Sequence, residues 1–443
     1  MGILEEIEGK LEDYEKVVGS EDINELVEYA KESGAKRVFM INSTKNGGGV
    51  AVLLNSIVPI MNNLGIETLW LELKADPSFF ETTKAFHNGL QGEKISDAYE
   101  KIENYTKFYE EELEDYNQHI LEYLNNLREG DMVVIHDPQP LGLIKYRKDD
   151  GSKWIWRCHI DTSNPNEDMW NFVHTMAERY DARIVSREAF KHGDLDWDVI
   201  PPSIDPLVTK NKELDPSRMQ EIIESYEIPQ DKPMISQVSR FDKWKDPVGV
   251  IESFRKARKN VDCSLVLVFD GASDDPEGDM MHKMVMDAIS SGEYADDIHL
   301  VRGDREDVVN TFQAASSIVM QKSLREGFAL TVSEALWKAT PVIATRIGGI
   351  PLQVIDGHNG HLIEPYSYGV HDSKRSEHID AAAAAIVSIL GDRGRAKEMG
   401  ENAKEHVKKN FLVTRHVKDY LALFKRLAAE EKVPEPVIET GSQ

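Results

Sequence analysis

The chain has 443 residues, of which 41% are hydrophobic and 29% are charged, and its formal net charge at pH 7 is −26. This length exceeds the size at which one hydrophobic core keeps growing, so we expect two domains. The acidic balance argues against a nucleic-acid partner and against an anionic membrane, because proteins that bind either one present basic surfaces.

The sequence also argues against a signal peptide, a membrane-spanning segment and a disulfide framework. Residues 1–16 are acidic and have no apolar core, which argues against a signal peptide. No apolar run approaches the roughly 20 residues of a membrane span. Cys158 and Cys263 make neither a disulfide framework nor a zinc-binding spacing. We therefore expect a cytoplasmic protein that has no membrane partner.

The first half of the chain alternates strand and helix patterns after an acidic, helical lead-in. In chain order these are the lead-in at 1–34, a strand at 37–42, a Gly-rich loop at 43–49, a helix at 50–64 and a strand at 67–73. This order is typical of a parallel sheet. Gly47, Gly48 and Gly49 allow the backbone to approach a ligand at the start of the helix. A tight turn without a ligand is the alternative, since the loop matches neither the P-loop nor the dinucleotide fingerprint.

Residues 75–130 form a long, charged and mostly helical insertion. Its charge runs indicate a solvated face. Asn88 and Gln91 lie in a stretch of aromatic, amide and glycine residues that suits a sugar, although a packed loop would look similar.

Polar residues follow the next two strand patterns, which lie at 131–135 and 154–160. Asp137 and Asp161 stand just beyond these apolar runs, and His159 stands close to the end of the second. Ligands of open α/β sheets bind outside the carboxyl ends of the strands, so the three side chains are candidates for chemistry. A weaker strand pattern lies at 183–186.

Three aspartates and a proline-rich segment end this half. Asp194, Asp196 and Asp198 lack the Gly and the distal Glu of a calcium loop, so we predict a solvated surface turn and no metal site. Residues 200–206 are proline-rich and predict a domain boundary. The expected domains are an N-terminal domain at 1–205, a C-terminal domain at 206–410, and a C-terminal helix with a frayed tail at 411–443 that packs back on the N-terminal domain.

A second alternating series follows and predicts a second doubly wound domain. Strands are predicted at 234–238, 264–269, 298–301, 317–320, 341–344 and 361–363. Helices are predicted at 247–257, 306–315, 330–338, 381–390, 395–409 and 414–431.

The first strand of this series runs into two cations. Arg240 has a planar fork that suits two phosphate oxygens, and Lys245 adds a point charge. Together they predict a diphosphate clamp. Surface charges paired with Asp242 and Asp246 are the alternative reading of the same residues.

Glu326 and Glu334 lie eight residues apart, on either side of a small-residue turn between a strand and a helix. The N-terminus of a helix presents unpaired backbone N–H groups that favour an anion. A carboxylate beside it can accept hydrogen bonds from sugar hydroxyls. The alternative is an ordinary loop and helix with Glu334 exposed.

These motifs, in this order, resemble the retaining GT-B glycosyltransferases of family four, over about residues 35–430. Segments 87–92, 136–140, 154–161 and 201–206 resemble more narrowly the trehalose synthase group, which includes trehalose glycosyltransferring synthases and trehalose phosphorylases. The resemblance implies an α/β GT-B fold, with two Rossmann-like doubly wound domains facing across a deep cleft.

The resemblance also implies roles for the candidate residues. On the donor side, Gly47, Gly48 and Gly49 would approach the phosphates, Arg240 and Lys245 would hold the diphosphate, and Glu334 would bind the ribose. Glu326 would contact the transferred glucose, and the backbone N–H groups of Gly327, Phe328, Ala329 and Leu330 would lie near the sugar and phosphates. His159 and Asp161 would line the reaction centre, and Asp137, Asn88 and Gln91 would bind the acceptor. Ala329 departs from the glycine usual in the family, and its N–H can serve an anion only if its φ is negative.

The expected reaction transfers glucose from ADP-, UDP- or GDP-glucose to D-glucose, reversibly, and yields α,α-trehalose. The expected site requires neither a divalent metal ion nor a cofactor beyond the nucleotide-sugar donor, and a homodimer is compatible with the sequence. Three alternatives stay open: a trehalose phosphorylase, a hydrolase or epimerase acting on a nucleotide sugar, and a non-catalytic nucleotide-binding protein.

Overall fold

The computed structural model describes residues 10–95, 97–111, 113–270, 276–367 and 373–429. These residues form two compact units. Of the described residues, 10–185, 191–200 and 417–429 belong to the N-terminal unit, and 186–190 and 201–416 belong to the C-terminal unit. The start of the predicted lead-in, residues 1–9, and the predicted tail, residues 430–443, lie outside the described residues.

The N-terminal unit is built on a six-stranded parallel sheet of order β2-β1-β3-β4-β5-β6. Its strands are β1 Arg37–Asn42, β2 Glu67–Glu72, β3 Asp131–His136, β4 Lys153–Arg157, β5 Ala182–Val185 and β6 Asp198–Val199. Its helices are α1 Leu11–Val18, α2 Ser20–Glu32, α3 Gly48–Asn63, α4 Pro77–Leu90, α5 Ala98–Glu111, α6 Leu113–Tyr116, α7 Gln118–Asn125 and α8 Glu167–Ala177, with 3-10 helices at Leu141–Tyr146 and Glu188–Phe190, the latter in the C-terminal unit.

The C-terminal unit has a second six-stranded parallel sheet, of order β12-β11-β10-β7-β8-β9. Its strands are β7 Met234–Arg240, β8 Ser264–Asp270, β9 Ile298–Arg302, β10 Ile318–Gln321, β11 Val342–Thr345 and β12 Gly360–Ile363. Its helices are α9 Pro216–Ser225, α10 Pro247–Arg258, α11 Pro276–Ser290, α12 Glu306–Ala315, α13 Leu330–Trp337, α14 Ile350–Gln353, α15 Ser373–Gly391 and α16 Arg393–Asn410, with 3-10 helices at Lys243–Lys245 and Ala295–Asp297.

The strands carry continuous apolar runs because parallel strands are covered on both faces. Val38, Phe39, Met40 and Ile41 of β1 are all fully buried. The predicted α/β fold, with two doubly wound sheets, is confirmed. The described residues contain no helix that is both long enough and apolar enough to cross a membrane.

The last helix, α17 Val413–Ala429, joins the N-terminal unit from Val417 onward. Its Lys418 Nζ lies 3.0 Å from an oxygen of Glu25 on α2. Residues 201–205, which sequence analysis placed with the first domain, belong instead to the C-terminal unit. Ile204 pairs there with Leu412 in an isolated β-bridge, and a pairing between such distant residues leaves no trace in local composition.

Several element ends differ from the predictions. Helix α15 begins at Ser373, whereas the pattern predicted a start at residue 381. The predicted turn at the three aspartates contains strand β6, where Asp198 forms an ion pair with Arg426 of α17. Strand β4 ends at Arg157, so His159 lies in the loop that follows it.

The strand orders locate the ligand-binding edge of each sheet. In open α/β sheets, ligands bind at the carboxyl ends of strands where the strand order reverses. That point lies between β1 and β3 in the N-terminal sheet and between β7 and β10 in the C-terminal sheet. The loops that follow these four strands contain Gly47, Asp137, Lys245 and the turn from Glu326 to Ala329.

Candidate active site

Glu326 lies just beyond β10 and is held by three side chains. Its Oε1 accepts hydrogen bonds from Gln321 Nε2 and Ser323 Oγ, both at 3.0 Å. The same oxygen forms an ion pair with Lys245 Nζ, and the two side chains are only 11% and 20% exposed. The structure thus joins the two charged residues that the sequence placed 81 positions apart.

Lys245 ends the short helix that follows β7. Asp242 accepts a hydrogen bond from the Trp244 N–H at 2.9 Å, which caps this helix. The Lys245 carbonyl accepts from Gln237 Nε2 at 2.7 Å, and the Trp244 carbonyl accepts from the Leu324 N–H at 2.7 Å. Lys245 is therefore fixed against the β10 loop. The alternative in which Lys245 pairs with Asp242 or Asp246 is not the pairing observed.

The turn between Glu326 and α13 contains a left-handed residue. Ala329 has φ +68° and ψ +73°, so the negative φ on which the prediction for its N–H depended is not found. The turn is enforced by the neighbouring chain, because a Cβ on Gly348 would overlap the Glu326 carbonyl oxygen and the Gly349 N–H donates to the Gly327 carbonyl at 2.7 Å. Leu330 begins the helix directly after this residue.

Glu334 is buried inside α13, with 4% of the residue exposed. The alternative in which it is an exposed helix residue is therefore wrong. Its Oε2 accepts from Gln313 Nε2 at 3.2 Å, and its Oε1 lies 3.6 Å from Lys210 Nζ. Lys338 donates to the Glu334 carbonyl at 3.1 Å, and burial lowers the pKa of Lys338 to about 8 although Glu334 opposes this shift.

A cavity of about 280 Å³ opens beside Glu334 in the C-terminal unit. Arg240 and Lys210 contribute positive charge to its wall, and the Arg240 side chain is exposed. The other wall residues are three valines, two acidic residues and three small or hydroxyl residues: Val238, Val268, Val309, Asp304, Glu306, Ser239, Gly303, Thr331. A concave wall that combines apolar side chains with placed polar groups suits a small molecule.

In the N-terminal unit, His136, Asp137 and His159 meet at the ends of β3 and β4. Nδ1 of His136 lies 3.0 Å from Nε2 of His159, and the donor in this pair depends on the tautomers. Asp137 Oδ1 accepts a hydrogen bond from the His159 N–H at 2.7 Å. Burial, assisted by the charge of Arg157, lowers the pKa of His136 to about 3, so this ring is neutral at pH 7. Burial raises the pKa of Asp137 to about 6.

Asp161, Asn88 and Gln91 are three further candidates of this unit. Asp161 Oδ1 accepts from the Ser163 N–H at 3.0 Å and from the Ser163 hydroxyl at 2.6 Å, so this carboxylate already organises its own loop. Asn88 and Gln91 lie at the end of α4, and the Gly89 carbonyl between them accepts from the Asn166 N–H at 2.8 Å. The end of the insertion helix is thereby joined to the loop that contains Asp161.

The Gly-rich loop follows β1, the strand beside β3. Gly47 and Gly48 have φ of +70° and +76°, and a Cβ on either would meet no atom within 4 Å. Helix α3 begins at Gly48, so Gly49 lies in its first turn. The loop is anchored to β2 by the Lys45 N–H, which donates to Glu72 Oε1 at 2.7 Å. The loop therefore has open space at the N-terminus of a long helix.

Two family descriptions match the chain, in the order of the two units. The description "Trehalose synthase, N-terminal domain" matches residues 40–192, and "Glycosyl transferases group 1" matches residues 218–406. The trehalose synthase of Rubrobacter xylanophilus is 39% identical over 425 residues, which cover 94% of this chain and 97% of that protein. The chain belongs to the trehalose synthase family of glycosyltransferases. It is an enzyme of trehalose-related sugar transfer, as predicted.

More distant matches extend the comparison. The trehalose phosphorylase of Pleurotus pulmonarius is 30% identical over 452 residues, which cover 90% of this chain and 58% of that protein. The solved sucrose-phosphate synthase of Thermosynechococcus elongatus has a TM-score of 0.66 at 17% identity and covers 89% of this chain and 100% of that structure. The shared fold is GT-B.

Sequence reasoning missed several members of this glycosyltransferase's site. Gln321, Ser323 and Lys210 hold the two glutamates, and nothing in their own neighbourhoods indicated a role. His136 stood in a motif that was noted only for its family resemblance. Within the described part of the chain, no group of three or more His, Cys, Asp or Glu side chains is arranged to hold a metal ion.

Proposed function

We propose that the enzyme transfers glucose from an NDP-glucose to D-glucose, giving α,α-trehalose and NDP with retention of the anomeric configuration, and that the reaction is reversible. The bond from glucose C1 to the diphosphate oxygen breaks, and a bond from C1 to the anomeric oxygen of the acceptor forms. The acceptor hydroxyl gives its proton to the departing diphosphate oxygen. Each oxygen and proton is thereby accounted for without a further reactant.

The observation that carries this proposal is the joint placement of Lys245 and Glu326 at the switch point of the C-terminal sheet. A cation there suits a diphosphate, and a carboxylate there suits sugar hydroxyls. The adjoining cavity beside Glu334 has three valines on its wall that a nucleoside could contact, and Glu334 would accept hydrogen bonds from the ribose hydroxyls. Nucleotide, diphosphate and sugar thus each have a candidate partner in one unit.

Negative charge develops on the diphosphate as the C1–O bond breaks. Arg240, Lys245 and the N–H groups at the start of α13 would stabilise it where it forms, and one such donor is typically worth about 3 kcal/mol of barrier. Leu330 and the residues after it supply these N–H groups in our proposal, because Ala329 is left-handed. We propose that these groups make a divalent metal ion and any further cofactor unnecessary.

The N-terminal unit would supply the acceptor side. His159 and Asp161 would line the reaction centre, with Asn88 and Gln91 on acceptor hydroxyls. Asp137 would act through the His159 backbone, because its carboxylate is already bonded there. The Gly47–Gly49 loop has room for donor phosphates at a helix N-terminus.

Product analysis tests the proposal. The purified enzyme is incubated with D-glucose and ADP-, UDP- or GDP-glucose, with and without EDTA, and the products are separated and identified. We expect a non-reducing disaccharide in at least one mixture, equal in amount to the NDP released and insensitive to EDTA. If no donor yields this disaccharide, the proposal is wrong. Donor consumption without an acceptor would instead identify a hydrolase or an epimerase.

Matched lysines provide the control. Lys245→Met removes the proposed clamp and should lower kcat by about 100-fold or more. Lys243→Met removes a cation from the same short helix, where Lys243 lies over the Trp244 ring at 5.4 Å, and should leave kcat unchanged. Equal effects of the two substitutions would contradict the assignment. Tight NDP binding without turnover of any sugar would identify a non-catalytic nucleotide-binding protein.

The phosphorylase is a second candidate because a trehalose phosphorylase is 30% identical to this chain. That enzyme class uses inorganic phosphate where the synthase uses NDP. The cavity of about 280 Å³ beside Glu334 favours the nucleotide, since phosphate alone would leave most of this volume unfilled. Trehalose cleavage is therefore measured with phosphate and with each NDP, and cleavage that requires phosphate but no NDP would select the phosphorylase.

A further inference from the structure

Two residues that are close in the chain to Lys245 and Glu326 form a buried ion pair of their own. The Lys322 side chain is completely inaccessible to solvent, and its Nζ donates to Asp246 Oδ2 at 3.0 Å. Burial lowers the pKa of Lys322, while Asp246 opposes this shift. The proposed chemistry assigns no role to either residue.

Asp246 is held in a conformation that an L-residue rarely adopts. Its φ and ψ are both +50°, and its Oδ1 caps α10 by accepting from the Gly249 N–H at 3.0 Å. The hydroxyl of Tyr366 also hydrogen-bonds to this carboxylate. A Cβ on Gly249 would overlap the Asp246 carboxylate, so that position has no room for a side chain. Lys322, the Gly249 N–H and Tyr366 thus determine where the Asp246 carboxylate lies.

Stability alone is a weak reason for this arrangement. Removing two charges from water is costly, and replacing a buried ion pair by apolar residues of similar volume is often neutral or stabilising. Asp246 also adopts a left-handed conformation, which is unfavourable for an L-residue. A buried pair that is retained at such cost can serve to define one geometry, a role known from other buried polar groups.

The chain positions of the pair show which geometry it defines. Asp246 directly follows Lys245, and Lys322 stands between Gln321 and Ser323, the two residues that donate to Glu326. The buried pair therefore links the loop after β7, which contains Lys245, to the loop after β10, which contains Glu326. We propose that Lys322 and Asp246 are positioning residues that hold Lys245 and Glu326 in register for the departing diphosphate; this role rests on the proposed function.

Three variants test the role: Lys322→Met, Asp246→Asn, and the double variant. The double variant removes both charges and should keep near-wild-type thermal stability, since no buried charge is left unpaired. Its kcat should nevertheless fall by about 100-fold, because a small misplacement of charged groups has effects of this size. The KM for the donor should change little, since charge on the diphosphate develops only in the transition state.

The control is a second ion pair of the same unit. Lys232 Nζ lies 2.5 Å from Asp297 Oδ1, and these residues precede β7 and β9, at the strand ends opposite to the two site loops. Lys232→Met with Asp297→Asn should lower thermal stability without lowering kcat, because Arg258, which donates to Asp297 Oδ2 at 2.9 Å, loses this charged partner. This control separates a loss of stability from a loss of positioning.

The possible results distinguish a positioning role from a purely structural role. Reduced kcat in the double variant, with an unchanged melting temperature and donor KM, supports the positioning role. Wild-type kcat in the double variant overturns it and makes the pair purely structural. If Lys322→Met alone does not fold, Asp246→Asn and the double variant decide by the same criterion. A wild-type enzyme without turnover refutes the proposed function itself, whereas wild-type turnover with an unaffected double variant refutes only the positioning role.

Discussion

Asp137 provides a quantitative test of how the N-terminal unit is arranged. Burial raises the pKa of its carboxyl to about 6, whereas the ordinary value is 3.8. Between these two pH values the unfolded chain releases a proton that the folded protein keeps. The folded state therefore loses stability at this residue as the pH rises from about 4 to about 6.

Asp137→Asn should abolish this loss. The difference between about 6 and 3.8, at about 1.36 kcal/mol per pH unit, corresponds to at most about 3 kcal/mol. Asparagine keeps an oxygen for the His159 N–H and tolerates the φ of +64° at this position. The variant should thus exceed the wild type in stability by little at pH 4 and by at most about 3 kcal/mol at pH 7.

The comparison between variant and wild type is essential because His136 has the opposite pH dependence. Its pKa is lowered from 6.5 to about 3, so its contribution to stability is lost as the pH falls below the ordinary value. Because both proteins contain His136, its contribution cancels in the difference. The free-energy difference between the two proteins then reports on Asp137.

Urea unfolding followed by tryptophan fluorescence from pH 4 to pH 7 measures this difference. The emission reports mainly on the N-terminal unit, which contains Trp70, Trp154, Trp156, Trp170 and Trp197. Asp181→Asn is the control, since it removes an ion pair with Arg147 at 2.5 Å and should not stabilise the protein. A gain for Asp137→Asn that is equal at every pH, or larger in acid, would refute the reasoning.

Three further predictions concern the C-terminal unit. Ala329→Gly should raise the free energy of unfolding by about 1 kcal/mol because Ala329 is left-handed, and an unchanged or lowered value would contradict that geometry. Glu334→Ala should weaken donor binding in calorimetry more than it lowers kcat; lost turnover with unchanged donor affinity would count against the ribose role. Gly348→Ala should lower kcat because a Cβ would displace the Glu326 carbonyl, whereas Gly357→Ala, with a similar positive φ and open surroundings, should not. Equal kcat in both alanine variants would argue against that contact.

The fold was predictable because its signals are local. Apolar runs interrupted by glycine and polar residues recur along both halves, and the α/β alternation follows from them. The positions of Lys245 and Glu326 shortly after two of the predicted strands could likewise be read from the chain. The assignment of residues 201–205 could not, because the bridge from Ile204 to Leu412 joins segments of very different sequence position.

The sequence by itself determined the elements, the family and the identity of the charged residues at the strand ends. Only the tertiary structure decided the partners of these charges: Lys245 with Glu326, Lys322 with Asp246, and Glu334 with Gln313 and Lys210. The physical reason is that a strand or helix pattern depends on neighbours within a few residues, whereas the energy of a buried charge depends on what distant segments bring against it.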